Sequence, residues 1–204
     1  MTSPADSPRS TALSRFASPV ILLALMWIIQ LADAILRGSF SGFGLRSWDL
    51  AGLGGIVAAP LLHASWSHLL ANSLPFLALG CLVAVEGARR FWTVTAVVAV
   101  IGGLGTWVFN APGTLTVGAS GLVFGYFGYI VMRVFAPARV AHRILYAVVA
   151  LIVIALYGGS MLAGVVGVSE GISWQAHLFG AIGGGIAALA GRRADRPALR
   201  DRTG

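Results

Sequence analysis

The chain contains no lysine: all 14 of its basic residues are arginine, set against seven acids. Charge of either sign is scarce, at 10% of residues, while 57% are hydrophobic, a balance that excludes an ordinary soluble domain. Cysteine occurs once, at Cys81, so no intramolecular disulfide can form and the redox compartment is not readable from thiols. None of the four histidines sits in a His-Glu-x-x-His pattern, which removes the membrane zinc proteases. An aspartyl mechanism needs two carboxylates at membrane depth, and the apolar runs offer only Asp33. There is also no internal repeat, which argues against an inverted-repeat transporter.

What is present instead is a series of long apolar runs. Six are near the length needed to cross about 30 Å of hydrocarbon, at 18–36, 68–85, 91–109, 119–135, 143–160 and 174–190. The expectation is an all-α polytopic bundle of six transmembrane helices over 18–190, between a disordered tail at 1–17 and a basic tail at 191–204. A rival reading of the first run is a signal peptide, because Arg9 and Arg15 precede it and Ala32-Asp33-Ala34 resembles a cleavage site. Ile35 and Leu36 continue the run and favour a retained span, with Asp33 near an interface or facing protein.

The net charge of +7 and an isoelectric point near 11.0 suggest a nucleic-acid partner only until the arginines are placed. Arg9 and Arg15, Arg89 and Arg90, Arg133, Arg139 and Arg143, and Arg192, Arg193, Arg196, Arg200 and Arg202 all fall on one side of the expected topology. Only Arg37 and Arg46 fall on the other. The excess marks the cytoplasmic face, so both termini are expected in the cytoplasm, as in a plasma membrane protein. Trp66, Trp107 and Trp174 then lie near the outer interface.

Two outer connections stand out. Residues 37–67 are long and too apolar for a solvated link, so they are expected to lie partly in the interface. Residues 158–173 contain five glycines and are expected to form a mobile cap.

Three polar groups reach the membrane. His68 and Asn72 are four apart and share a helix face, where they can aim donors at one point; the bland alternative is interhelical hydrogen bonding. His63 points elsewhere and is expected to pack in the loop. Ser120, in Gly118-Ala119-Ser120-Gly121, opens the fourth run; a membrane serine often bonds only its own backbone. His177 shares a face with Gly180 and Gly184, a stripe of small residues that admits close approach by another helix. Gly121, Gly125 and Gly128 form the matching stripe on the fourth run. Since the second, fourth and sixth runs have the same direction, His68, Asn72, Ser120 and His177 should meet at one depth, just below the outer surface. Helix amino-termini there supply free N–H groups for an oxyanion.

These types fit a nucleophilic Ser120 with His177 as its base, and the Ser120 amide, His68 and Asn72 as oxyanion donors. The Gly118 position belongs with that donor group. Glu170, in the glycine-rich connection, is the weak candidate for a third member.

The set His63, His68 and Asn72, then Gly118-Ala119-Ser120-Gly121, then Ala176-His177 with Gly180 and Gly184, resembles the rhomboid intramembrane serine proteases. The resemblance implies a six-helix core, a Ser120–His177 dyad, lateral access for transmembrane protein substrates in the bilayer, and no metal or organic cofactor. Rhomboids often carry Trp-Arg in the first outer loop; this chain has only Arg46 and Trp48. Where a tyrosine often follows the nucleophile by four residues it has Phe124, which can still pack on His177. The form implied is the minimal bacterial one, with its oligomeric state open. The alternative is a rhomboid-like protein that binds membrane clients without cutting them, and a small channel is a further one.

Overall fold

A computed structural model describes residues 8–38, 40–135, 144–155 and 172–194. The helices are α1 (Pro8–Ile35), a short α2 (Gly55–Ala58), α3 (Trp66–Ala84), α4 (Ala88–Phe109), α5 (Ser120–Val134), α6 (described over Ile144–Ala155) and α7 (Trp174–Ala194). Three of them, within Ser14–Ile35, Trp66–Ala84 and Ala88–Phe109, are long and apolar enough to cross a membrane by length and composition. The architecture is a helical membrane bundle. It also holds one small two-stranded antiparallel ladder, with Leu45 opposite Thr116 and Arg46 opposite Leu115.

Contacts along the helices fix their directions. Gly121 meets Gly180 and Gly125 meets Gly184, so α5 and α7 are parallel. His68 lies against Gly118 and Phe76 against Tyr126, so α3 runs the same way as α5. Gly102 faces Gly180 while Arg90 faces Gly191, which makes α4 antiparallel to α7. The α1 helix is antiparallel to α3: Trp27 Nε1 donates to Ser73 Oγ at 3.1 Å near one end, and Arg15 reaches the Val85 carbonyl at 3.0 Å near the other.

Glycine determines where α7 sits. A Cβ on Gly180, Gly184 or Gly128 would meet the backbone of the facing helix, and one on Gly105 would overlap the Phe179 ring. With hydrogen in those places α7 lies wedged between α4 and α5, backbone against backbone, as small-residue stripes allow in lipid. Around this wedge Phe76, Leu79, Phe91, Val94, Val98, Tyr126 and Tyr129 form the interior. Outward faces carry exposed Ile21, Ile28, Leu70, Leu74, Leu151 and Ile186. A bundle apolar both inside and out suits hydrocarbon as its solvent.

Several boundaries differ from those read in the sequence. The first helix starts at Pro8 rather than 18, so residues 8–17 are helical; proline is suited to a first helical position, and the following residues include helix-forming Ala and Leu. The last helix runs on to Ala194, past the expected end at 190. Asp33 accepts from the Phe40 amide at 2.7 Å and so fastens the turn after α1. Glu86, just beyond the end of α3, is a second carboxylate inside the bundle. It accepts from Arg133 Nε at 2.9 Å, Tyr129 at 2.9 Å and Tyr146 at 2.6 Å. Residues 158–171 of the expected cap with Glu170, residues 1–7 and 195–204 of the tails, and residues 143 and 156–160 of the fifth run lie outside the described residues.

The connection between α1 and α3, the first expected outer connection, is folded. Turns at Ser41–Phe43, Leu50–Gly54 and Ala59–Leu61 flank α2, and the Trp48 ring stacks on Trp107 with centroids 5.8 Å apart. Leu50, Val57 and Phe43 remain exposed on it.

Candidate active site

The site lies where α3, α5 and α7 begin. Ser65 caps α3 by accepting from the His68 amide at 3.1 Å, which places His68 in the first turn and Asn72 one turn on. The α5 helix starts at Ser120 itself, and its first internal bond is from the Val123 amide to the Ala119 carbonyl. The amides of Ser120, Gly121 and Leu122 precede that bond and have no acceptor within the helix. Fifteen residues span only about 22 Å at 1.5 Å each, against about 30 Å of hydrocarbon. A helix this short does not cross that thickness by itself.

Ser120 Oγ and His177 Nε2 are 2.9 Å apart. For the hydroxyl to donate, Nε2 must be the bare nitrogen and Nδ1 must carry the proton. The imidazole lies flat on Phe124, with centroids 3.9 Å apart and planes 6° apart. His68, Asn72, Gly118, Ser120, Phe124 and His177 line one cavity of about 520 Å³. Asn72 spends one Nδ2 hydrogen on the His68 carbonyl at 2.9 Å, which leaves the other for the cavity. Gly121, Gly125, Gly180 and Gly184 stand at the α5–α7 contact, except that Gly125 also abuts Val98 of α4.

Gly118 shapes the approach. Its φ of +120° is a conformation that side chains rarely adopt, and a Cβ there would stand 2.6 Å from His68 Cε1. Its amide donates to the Ala59 carbonyl at 2.8 Å, so the residue pins the segment before Ser120 to the connection between α1 and α3.

His63 is buried in the connection before α3, as expected, but it packs against His68 rather than pointing away from it. Its Nε2 accepts from the Ala119 amide at 3.3 Å, and its ring stands edge-on to His68 with centroids 5.1 Å apart. Burial, then the proximity of His68, pushes its pKa down to about 4, so the ring stays neutral and keeps its acceptor. The helical spacing that links His68 to Asn72 says nothing about a residue in the preceding loop. The signal available was only that a histidine three residues upstream of the helix had no apolar pattern to explain it.

Gln175 was likewise passed over. It is buried, and its Nε2 reaches Asn110 Oδ1 at 3.3 Å and the Phe109 carbonyl at 3.4 Å.

A membrane-embedded helical bundle with a serine hydroxyl on an imidazole, lining a mostly apolar cavity beside free helix amides, defines a class of hydrolase-like membrane proteins. The Rhomboid domain profile matches residues 48–194, and the chain belongs to the rhomboid family. It is 36% identical over 205 residues to an uncharacterised protein of Mycobacterium tuberculosis (strain H37Rv), covering 92% of this chain and 83% of that one. It is 39% identical to an uncharacterised Mycobacterium leprae protein, over 81% of this chain and 67% of the relative. YdcA of Bacillus subtilis (strain 168), provisionally named a rhomboid protease, is 34% identical, with 80% and 81% covered. Family membership supports a membrane-embedded hydrolase acting on membrane substrates.

Proposed function

We propose that this protein is an intramembrane serine endopeptidase that cuts peptide bonds in or beside transmembrane segments of other proteins, near the outer membrane face. The observation that carries this reading is the 2.9 Å contact between Ser120 Oγ and His177 Nε2, made at the start of a helix too short to cross the hydrocarbon by itself. Arginine placement supports cytoplasmic termini, and therefore a site that opens outward.

In this mechanism Ser120 Oγ attacks the scissile carbonyl carbon while its proton passes to His177 Nε2. The oxyanion takes hydrogen bonds from the Ser120 amide, from His68 and from the remaining Asn72 N–H. Collapse breaks the C–N bond, and the His177 proton goes to the leaving amine. Water then attacks the acyl ester, gives its proton to His177, and releases the new carboxylate as Ser120 recovers its own. Phe124, stacked on the His177 imidazole with centroids 3.9 Å apart, helps to hold the plane of the ring. Helical substrate must unwind locally before its carbonyl can be reached, which favours small residues at the cut and helix breakers beyond it.

The test is purified protein with a single-pass membrane reporter, comparing wild type with Ser120→Ala and His177→Ala. Wild type should release a fragment and both variants should not. Equal processing by all three removes the dyad and leaves a client-binding scaffold.

A further inference from the structure

We infer that Asn110 and Gln175 form a clasp that sets the position of His177, making both of them positioning residues for the reaction; this rests on the Ser120–His177 reading above. Gln175 and His177 are two positions apart at the start of α7, so their side chains leave opposite sides of the helix. His177 faces α5 and Ser120, whereas Gln175 faces the end of α4. There its Nε2 donates to Asn110 Oδ1 at 3.3 Å and to the Phe109 carbonyl at 3.4 Å.

Asn110 is itself held from four directions. Its amide closes α4 on the Thr106 carbonyl at 3.0 Å, and its Oδ1 accepts from the Ala111 amide at 3.0 Å, which fixes which end of the side-chain amide is oxygen. Its Nδ2 donates to Thr116 Oγ1 at 3.4 Å, and its carbonyl accepts Trp48 Nε1 at 3.1 Å. One residue therefore joins the connection between α1 and α3, the end of α4, the segment leading to Ser120 and the start of α7. Gly121 of α5 packs on Ala176, but the glycine contacts between α4 and α7 lie from Phe179 and Gly180 onward. The turn that bears His177 precedes them and has Gln175 as its tie to α4.

A misplacement of 1 Å can lower a rate about 100-fold, so loosening this turn should act on turnover more than on binding. The experiment measures kcat and KM for the membrane reporter, and the rate at which a fluorophosphonate labels Ser120. The variants are Gln175→Met, Asn110→Leu and Asn110→Asp, with Ser120→Ala as the blank. Methionine fills the glutamine's volume without its donor, and aspartate keeps the oxygen that Gln175 and the Ala111 amide use.

Gln175→Met and Asn110→Leu should lower kcat and the labelling rate by about 10- to 100-fold with KM within twofold. The doubly substituted Gln175→Met, Asn110→Leu protein should lose no more than the worse single variant, and Asn110→Asp should stay within a few-fold of wild type. If Asn110→Leu does not fold, Gln175→Met against wild type decides. An active wild type with Gln175→Met at full kcat, or Asn110→Asp as poor as Asn110→Leu, overturns the clasp and leaves the protease reading standing. A wild type that neither cleaves nor labels overturns that reading and the clasp together.

Discussion

The His177 imidazole rests flat on the Phe124 ring, its plane only 6° from parallel, while the edge of the same imidazole meets Ser120 Oγ at 2.9 Å. Both aromatic partners and the hydroxyl come from two parallel helices, so the ring has a fixed seat on one face and a reactive contact at one corner. Phe124→Ala removes that seat and should lower kcat about tenfold, by loosening the geometry on which catalysis depends. Phe124→Tyr keeps the stack and should remain near wild type. Steady-state cleavage of a membrane reporter by the two variants checks this.

Gly118→Ala should abolish fluorophosphonate labelling of Ser120. The new methyl group would need both a φ of +120° and space already filled by His68, and strain of this kind costs on the order of 1–3 kcal/mol. Melting of the purified variant, alongside labelling, separates a shifted site from a lost fold. Activity within twofold of wild type would show that the segment before Ser120 relaxes freely.

Gly184→Val should separate α5 from α7. Its side chain would run into the Gly125 carbonyl and the Tyr129 amide, and close helix approach has no substitute for a missing Cβ. Loss of both thermal stability and labelling is expected, whereas Gly185→Ala, where a Cβ comes no nearer than 3.6 Å to Met132, should be mild.

Glu86→Ala should destabilise the bundle by about 3–5 kcal/mol, the usual cost of removing one partner from a buried ion pair. Arg133 makes two close contacts with this carboxylate, at 2.9 and 3.0 Å, and is itself buried. Unfolding in detergent by denaturant gives the number. Because the cluster sits at the opposite end from Ser120, kcat of the folded fraction should change little.

Acid should weaken the fold through His63. In the unfolded chain its imidazole takes up a proton below the ordinary value of 6.5, but in the folded protein it stays neutral down to about 4. The unfolded state therefore holds more protons in that window, and stability falls as pH drops from 6.5 towards 4, then levels off. The shift amounts to at most about 3 kcal/mol. Wild type compared with His63→Asn at pH 7 and pH 4.5 should show a smaller acid loss in the variant.

Spacing carried most of the site in the sequence. His68 with Asn72, and the two glycine stripes, are helical periodicities, and directions set by the topology brought them to one depth without coordinates. Length and hydropathy likewise marked the spans, with α3 and α4 displaced by three residues or fewer at their starts. Loop residues were not legible in this way. His63, Asn110 and Trp48 act through contacts with chain far away in sequence, such as Ala119 and Gln175, and no local period encodes these. Glu86 was missed because it stands past the end of an apolar run and turns back inward only when Arg133 and the tyrosines are in place.

The brevity of α5 has a consequence for how the molecule admits water. The hollow beside Ser120 occupies room that the missing turns of a full-length membrane helix would take, with Leu115–Thr116 paired as a strand and Gly118–Ala119 turning the chain into the helix instead. Splicing one or two helical turns in front of Ser120 would plug that well and leave every reactive group in place but dry.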